Sequence, residues 1–476
     1  MSDTTMKTVH RTPGPHDGRG TAATAGRSRR GGAAALALAV PVALLAACAA
    51  PEQGGSSGDP AASSSQAPSP TASRAATESQ ARTPRIAVTY DGGIKVLDAM
   101  SLEEVGDLPL DGFNRLNPAG DGRHLLVSTT GGFQVLDLGT WAEAHGDHAH
   151  YWTSDPALLD VRYEATEPGH VVVHEGRTAL FDDGTGHVTV VDSEHVAEGE
   201  ADREYTTPSA HHGVAIELSD DTLVVSEGTE EERSGIRVLD ADDEEIAAGD
   251  DCPGVHGEAV AAHEAVVIGC EDGALVYADG KITHVDVPDE YGRIGNQAGS
   301  EDSPIVLGDY KTDPDAELER PERVSLIDTR TAGHTLVDLP ASYSFRSIGR
   351  GPDGEALVLG TDGKLHVIDP ESGKITDSIP VVDEWTEPAE WQEPRPAVLT
   401  LDGSVYVTDP ANQQIHAVDL VEGEVWKSAD VGVVPNEVNG VEGELPAEDA
   451  HEGHGHEDEH EHEDEHGHED EHDESH

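Results

Sequence analysis

The sequence predicts an all-β fold, a β-propeller of four-stranded blades, from three observations. Short runs of alternating β-branched residues are separated by Asp-Gly turns from about residue 85 onward, which is the hairpin signature. The unit recurs every ~40–50 residues, the period of a propeller blade. Outside an N-terminal apolar run, no stretch keeps the 3.6-residue periodicity of an amphipathic helix.

The repeated unit is a strand, a Gly- or Asp-containing turn, and a strand closing on Asp. RIAVTYDGGIKVLD (85–98), RHLLVSTTGGFQVLDL (123–138), ALVLGTDGKLHVID (356–369) and SVYVTDPANQQIHAVDL (404–420) all follow it. Aromatic residues make up only 4% of the chain, so the core must be built from Val, Ile, Leu and Ala. Inner strands are expected to begin near Phe113, Tyr163, Ala210, Val255, Ile294, Phe345 and Pro396. Residues 85–110 supply further strands without an inner one, and GVVPNEVNGV (432–441) can supply it. Strands from both chain ends then close the ring. This count favours eight blades, with seven as the alternative. A ring of such sheets is favoured because one alone leaves both faces and its edges open.

Four segments are expected. Residues 1–47 read as a signal peptide, with a basic stretch ending in Arg29-Arg30 and an apolar run at 33–47, too short to span a bilayer comfortably. Leu45-Ala46-Ala47-Cys48 resembles a bacterial lipobox, which implies cleavage before Cys48 and lipidation of its thiol. Residues 48–84, rich in Ser, Ala, Pro and Thr, read as a lipidated Cys and disordered tether. The propeller follows over 85–441. Residues 442–476 form a disordered tail. The protein is thus expected to be exported and anchored on the outer face of the cytoplasmic membrane, touching the membrane through its lipid only. Of the chain's three cysteines, Cys252 and Cys270 remain in the mature body. In an oxidising compartment they read as one disulfide, with a pair of thiolate metal ligands as the alternative.

The net charge is −66, from 95 acidic and 29 basic residues. Such a surface repels nucleic-acid phosphates and attracts cations. The 27 histidines fall into groups that suit divalent-metal capture. His145, Asp147, His148 and His150 lie within six residues, expected to be a loop, and offer imidazoles and a carboxylate of the kind zinc prefers. Aligned repeats place His170, the pair His211-His212, and His256 at corresponding positions where three consecutive inner strands open. Their side chains should converge near the channel mouth, close to the carboxylates Glu217 and Glu258. His124, His174 and His263 lie deeper in their strands and are weaker candidates. The tail carries His451, His454, His456, His460, His462, His466, His468, His472 and His476 among thirteen acidic residues, with no Lys or Arg. It cannot pack a core and can trap transition metals. Mixed imidazole and carboxylate sets without Met or Cys clusters point to Zn2+ rather than copper(I).

HGDHAH (145–150), GHVVVHEGRTALFDDGTGHVTV (169–190), HHGVAIELSDDTLVVSEG (211–228) and CPGVHGEAVAAHEAVVIGCEDGALVY (252–277) resemble the zinc metallochaperones of the AztD type, exported β-propellers that load a zinc-binding protein. The resemblance spans about residues 85–440. It implies a monomeric, non-enzymatic zinc metallochaperone that delivers zinc to the solute-binding protein of an ABC importer. On that analogy His145, Asp147, His148 and His150 match the family's His-rich motif, and His170, His211, His212 and His256 its His-bearing blades. Two other readings remain at this point. One is a cell-surface scaffold with a metal-buffering tail. The other is a propeller enzyme such as a lactonase, since the fold alone does not fix function.

Overall fold

The computed structural model describes residues 74–146 and 148–445. Among them, eight four-stranded antiparallel sheets and one three-stranded sheet hold nearly all the regular structure. Two three-residue turns of 3₁₀-helix, Ser193–His195 and Ala262–Glu264, are the helical content. No helix of the described residues is long and apolar enough to cross a membrane.

Six of the sheets are simple meanders in which four successive strands pair in chain order. Their first, inner strands are Pro168–His174, Ala215–Glu217, His256–Ala261, Gln297–Ala298, Ile348–Arg350 and Val398–Leu401. The sheet that precedes them runs from the inner strand Arg115–Pro118 to the outer strand Ala157–Glu164. Tyr163 therefore lies in an outer strand, paired with Phe133. The inner strand expected there starts five residues later, because the hairpin 140–153 inserted ahead of the fourth strand delays the repeat.

The remaining sheet is made from both chain ends. Val438–Val441 pairs antiparallel with Arg85–Tyr90, Arg85 opposite Val441 and Val88 opposite Val438. It supplies the inner strand that residues 85–109 lack.

Hydrophobic clusters lie between successive sheets rather than within one. Ala87, Ile94 and Val96 pack against Leu116, Leu125 and Val127 of the next sheet. Ile86, Val88 and Leu97 pack against Tyr406, Ile415 and Ala417 of the last. Second strands such as Arg85–Tyr90 and His124–Thr129 are thus buried on both faces, which explains why Arg85–Tyr90 is apolar without strict alternation. Outer strands such as Glu424–Asp430 alternate exposed and half-buried positions and carry charge, which blunts their free edges.

Two departures from the expected segments bear on function. His145, His148 and His150 do not lie in a loop but near the tip of a β-hairpin, in the strands Thr140–His145 and His148–Thr153. Thr77–Ser79, within the segment expected to be a tether, is a strand on that hairpin, with Glu78 opposite Trp152. The signal segment, Cys48 and residues 446–476 of the tail lie outside the described residues.

Candidate metal centre

Two groups of three histidines are drawn together, in each case with ligand atoms all within 4.8 Å of one another. The first is His170, His212 and His256. His170 lies in the inner strand Pro168–His174, His212 just ahead of Ala215–Glu217, and His256 opens His256–Ala261. Their rings stand 5.0 to 5.8 Å apart, centroid to centroid.

Each imidazole is held by its Nδ1. His170 Nδ1 lies 2.8 and 3.1 Å from the two carboxylate oxygens of Glu258. His212 Nδ1 bonds to Asp183, and His256 Nδ1 donates to the Gly295 carbonyl. A proton held on Nδ1 leaves the Nε2 lone pair free, the tautomer that outer carboxylates and carbonyls impose on metal-binding histidines. Burial, and next the nearby His170, keep the His256 imidazole well below its ordinary value of 6.5, so the ring stays neutral. His212 Nε2 and His256 Nε2 are 3.2 Å apart. Two nitrogens each ~2.0–2.1 Å from a tetrahedral zinc ion would be roughly 3.3 Å apart, so the spacing is that of two ligands on one ion. The His212 side chain is 40% exposed, leaving one flank of the group open.

The second group is His145, His148 and His150 on the hairpin. His145 is paired directly with His148, and His150 follows two residues on. Period-two alternation therefore sets all three on one face. Ring centroids are 5.1 to 5.2 Å apart, and His145 Nδ1 lies 3.1 Å from His150 Nε2. His150 Nδ1 bonds to Glu78 Oε1 at 2.8 Å. Gly146 takes a left-handed conformation, φ 66°, at the tip. Asp147 lies outside the described residues, as do all nine tail histidines.

His211 is not part of either group. Its ring is buried, bonded through Nδ1 to the Ser209 carbonyl and through Nε2 to Ser226 Oγ, both at 2.9 Å, and it packs on Phe181. Adjacent residues of an extended chain point to opposite sides, so of the pair only His212 reaches the cluster. Glu217 is likewise engaged elsewhere, accepting from Arg203 at 2.8 Å. Asp183, Gly295 and Glu78 escaped the sequence reading. Asp183 sits in an Asp-Asp-Gly turn that reads as turn chemistry alone, and a backbone carbonyl has no signature. Of the weaker candidates, His124 bonds to Asp121 and His174 to Glu264 at 2.9 Å; His263 is exposed.

Cys252 and Cys270 form a disulfide with Cα atoms 5.0 Å apart, which excludes the thiolate-ligand alternative. The bridge flanks the pairing of His256 with Gly269 and so braces the strand that carries His256.

No protein-family model matches the chain. It is similar to the zinc chaperone AztD of Citrobacter koseri, 27% identical over 388 residues, covering 77% of this chain and 88% of that protein. Its fold is similar to the crystal structure of Citrobacter koseri AztD, with a TM-score of 0.66 at 24% identity, over 76% of this chain and 98% of the other. The structure of apo AztD from the same organism gives a TM-score of 0.65 at 24% identity, with the same coverage.

Proposed function

We propose that this chain, a protein of the AztD type, binds zinc outside the cytoplasm as a metallochaperone and passes it to the solute-binding protein of an ABC zinc importer. The observation that carries the reading is the convergence of His170, His212 and His256 from three successive sheets, with two Nε2 atoms at the spacing of zinc ligands. Three imidazole nitrogens suit a zinc ion whose fourth position stays open. An open fourth position lets an incoming ligand of the acceptor bind before the chaperone's own ligands leave, so the ion moves by exchange and never enters bulk water. The half-exposed His212 is the ligand best placed to let go first. No nucleophile or positioned water is required by such a process.

The wider arrangement follows the same reading. The eight four-stranded sheets are blades of one ring, closed where Val438–Val441 joins Arg85–Tyr90, and the clusters shared by successive sheets support that closure. Cys48 is the lipid attachment site, and the 442–476 tail concentrates metal near the body. His145, His148 and His150, with Asp147, form a second zinc position.

The test is zinc titration and transfer. The His212→Ala/His256→Ala double variant is expected to lose the tightest zinc equivalent and to stop loading a zinc-binding acceptor, while remaining folded by circular dichroism. A double variant that binds and donates zinc like the parent protein would remove the three histidines from the function.

A further inference from the structure

The hairpin histidines rest against a segment that reads in sequence only as linker. Arg74 pairs with the Asp137 carboxylate and donates to the Asp155 carbonyl. Arg82 pairs with Asp402, in the turn after Val398–Leu401, and with Glu442 and Glu444, which follow Val438–Val441. Between these two anchors, Thr77–Ser79 adds a third strand to the hairpin. Residues 74–82 are thus a strap, fixed at both ends and hydrogen-bonded in the middle.

The register decides which strap side chain meets the histidines. Glu78 is opposite Trp152, and Trp152, His150 and His148 alternate onto one face. Paired residues of neighbouring strands share a face, so Glu78 lies on the histidine side of the sheet. Thr77 and Ser79, its neighbours, point to the other. Glu143, across from His150 on the opposite flank, is engaged by Trp141 Nε1 at 3.2 Å. That leaves Glu78 as the carboxylate in contact with His150, Oε1 to Nδ1 at 2.8 Å.

Resting on the zinc reading of this cluster, we infer that Glu78 is a positioning residue of the hairpin metal site, and that zinc bound there locks the strap onto the hairpin. By accepting the Nδ1 proton of His150, Glu78 fixes the tautomer that turns Nε2 toward His145, 3.1 Å away. The two halves of the inference are linked. If strap docking favours zinc, zinc favours strap docking by the same factor.

The experiment uses the full-length protein and zinc ions, titrated against a competing chelator. The hairpin component is defined as the binding lost in the His145→Ala/His148→Ala/His150→Ala variant. Glu78→Ala is expected to weaken that component by about 10–100-fold, and Glu78→Asp to restore most of it. In parallel, zinc should slow trypsin cleavage after Arg74 and Arg82 in the parent protein but not in Glu78→Ala. Wild-type affinity in Glu78→Ala, or equal weakening in Glu78→Ala and Glu78→Asp, would overturn the positioning role. Should the triple histidine variant bind zinc as the parent does, no hairpin component exists, and the zinc reading of the cluster fails together with the inference.

Discussion

Glu258 is the carboxylate whose removal should reveal how far the triad depends on its surroundings. Its side chain is 13% exposed and its oxygens lie 2.8 and 3.1 Å from His170 Nδ1. Adding that hydrogen bond, roughly 2.2 Å across the ring and ~2.0 Å of Zn–N bond puts the negative charge about 6–7 Å from a bound ion. At an effective dielectric of ~20, a unit charge and a dication at that distance attract by about 5 kcal/mol. Much of this is offset by the cost of keeping a carboxylate out of water. The net loss for Glu258→Ala should fall near the 10–100-fold seen for outer-shell groups, or about 1.4–2.7 kcal/mol. Glu258→Gln keeps an acceptor for Nδ1 but not the charge, so it should lie between. Competitive zinc titration, with the His170→Ala/His212→Ala/His256→Ala variant as baseline, measures the effect, and near-ultraviolet circular dichroism checks the fold. Parent-like affinity in Glu258→Ala would refute the idea that this carboxylate tunes the triad.

Three further outcomes follow from the same structure. His211→Ala removes a ring with both nitrogens bonded inside the fold, so urea unfolding should show about 1–3 kcal/mol of lost stability with unchanged zinc affinity. A shift in affinity without one in stability would place His211 back at the metal. Replacing Cys252 and Cys270 by Ser opens a loop of sequence separation 18. This should cost about 3 kcal/mol, read as a lower Tm, and should weaken zinc binding through His256; an unchanged Tm would argue that the bridge braces nothing. Burial lowers the His334 imidazole from its ordinary value of 6.5, so the unfolded chain takes up this proton first as pH falls. Its contribution is intact above pH 6.5 and is lost on descending toward the folded value. Urea midpoints at pH 7 and pH 5.5 should therefore differ less in His334→Gln than in the parent, and equal differences would contradict this.

The repeat was legible because its physics is local. Alternation, Asp-Gly turns and a period near one blade are all written within a few residues, as in 356–369. The partnership of Val438–Val441 with Arg85–Tyr90 was also legible, since a missing strand at one end matched a spare one at the other. Aligning repeats brought out His170, His212 and His256, because equivalent positions in successive sheets are spatial neighbours. It did not separate His211 from His212, which differ only in which side of an extended chain each faces. The 145–150 segment was misread as a loop. Its strands TWAEAH and HAHYWT lack the β-branched alternation of the repeats, and nothing local announces that Thr77–Ser79 will pair with one of them. Asp183 and Glu78 were invisible for the same reason: a hydrogen bond between distant turns leaves no periodic trace.

The joining of Arg85–Tyr90 with Val438–Val441 in one sheet governs the order in which the molecule can be completed. Ile86, Ala87 and Val88 are fully buried, yet their inner partner is among the last described residues to be synthesised. Until Val438–Val441 arrives, that strand presents a bare apolar edge, a template for pairing with another chain. A nick or stop codon ahead of Val438 would strand the first sheet half-built, however sound the intervening ones. Opening the chain instead between Pro109 and Arg115, with the old ends linked, would let all eight four-stranded sheets pair their strands in chain order and remove that waiting period for Arg85–Tyr90.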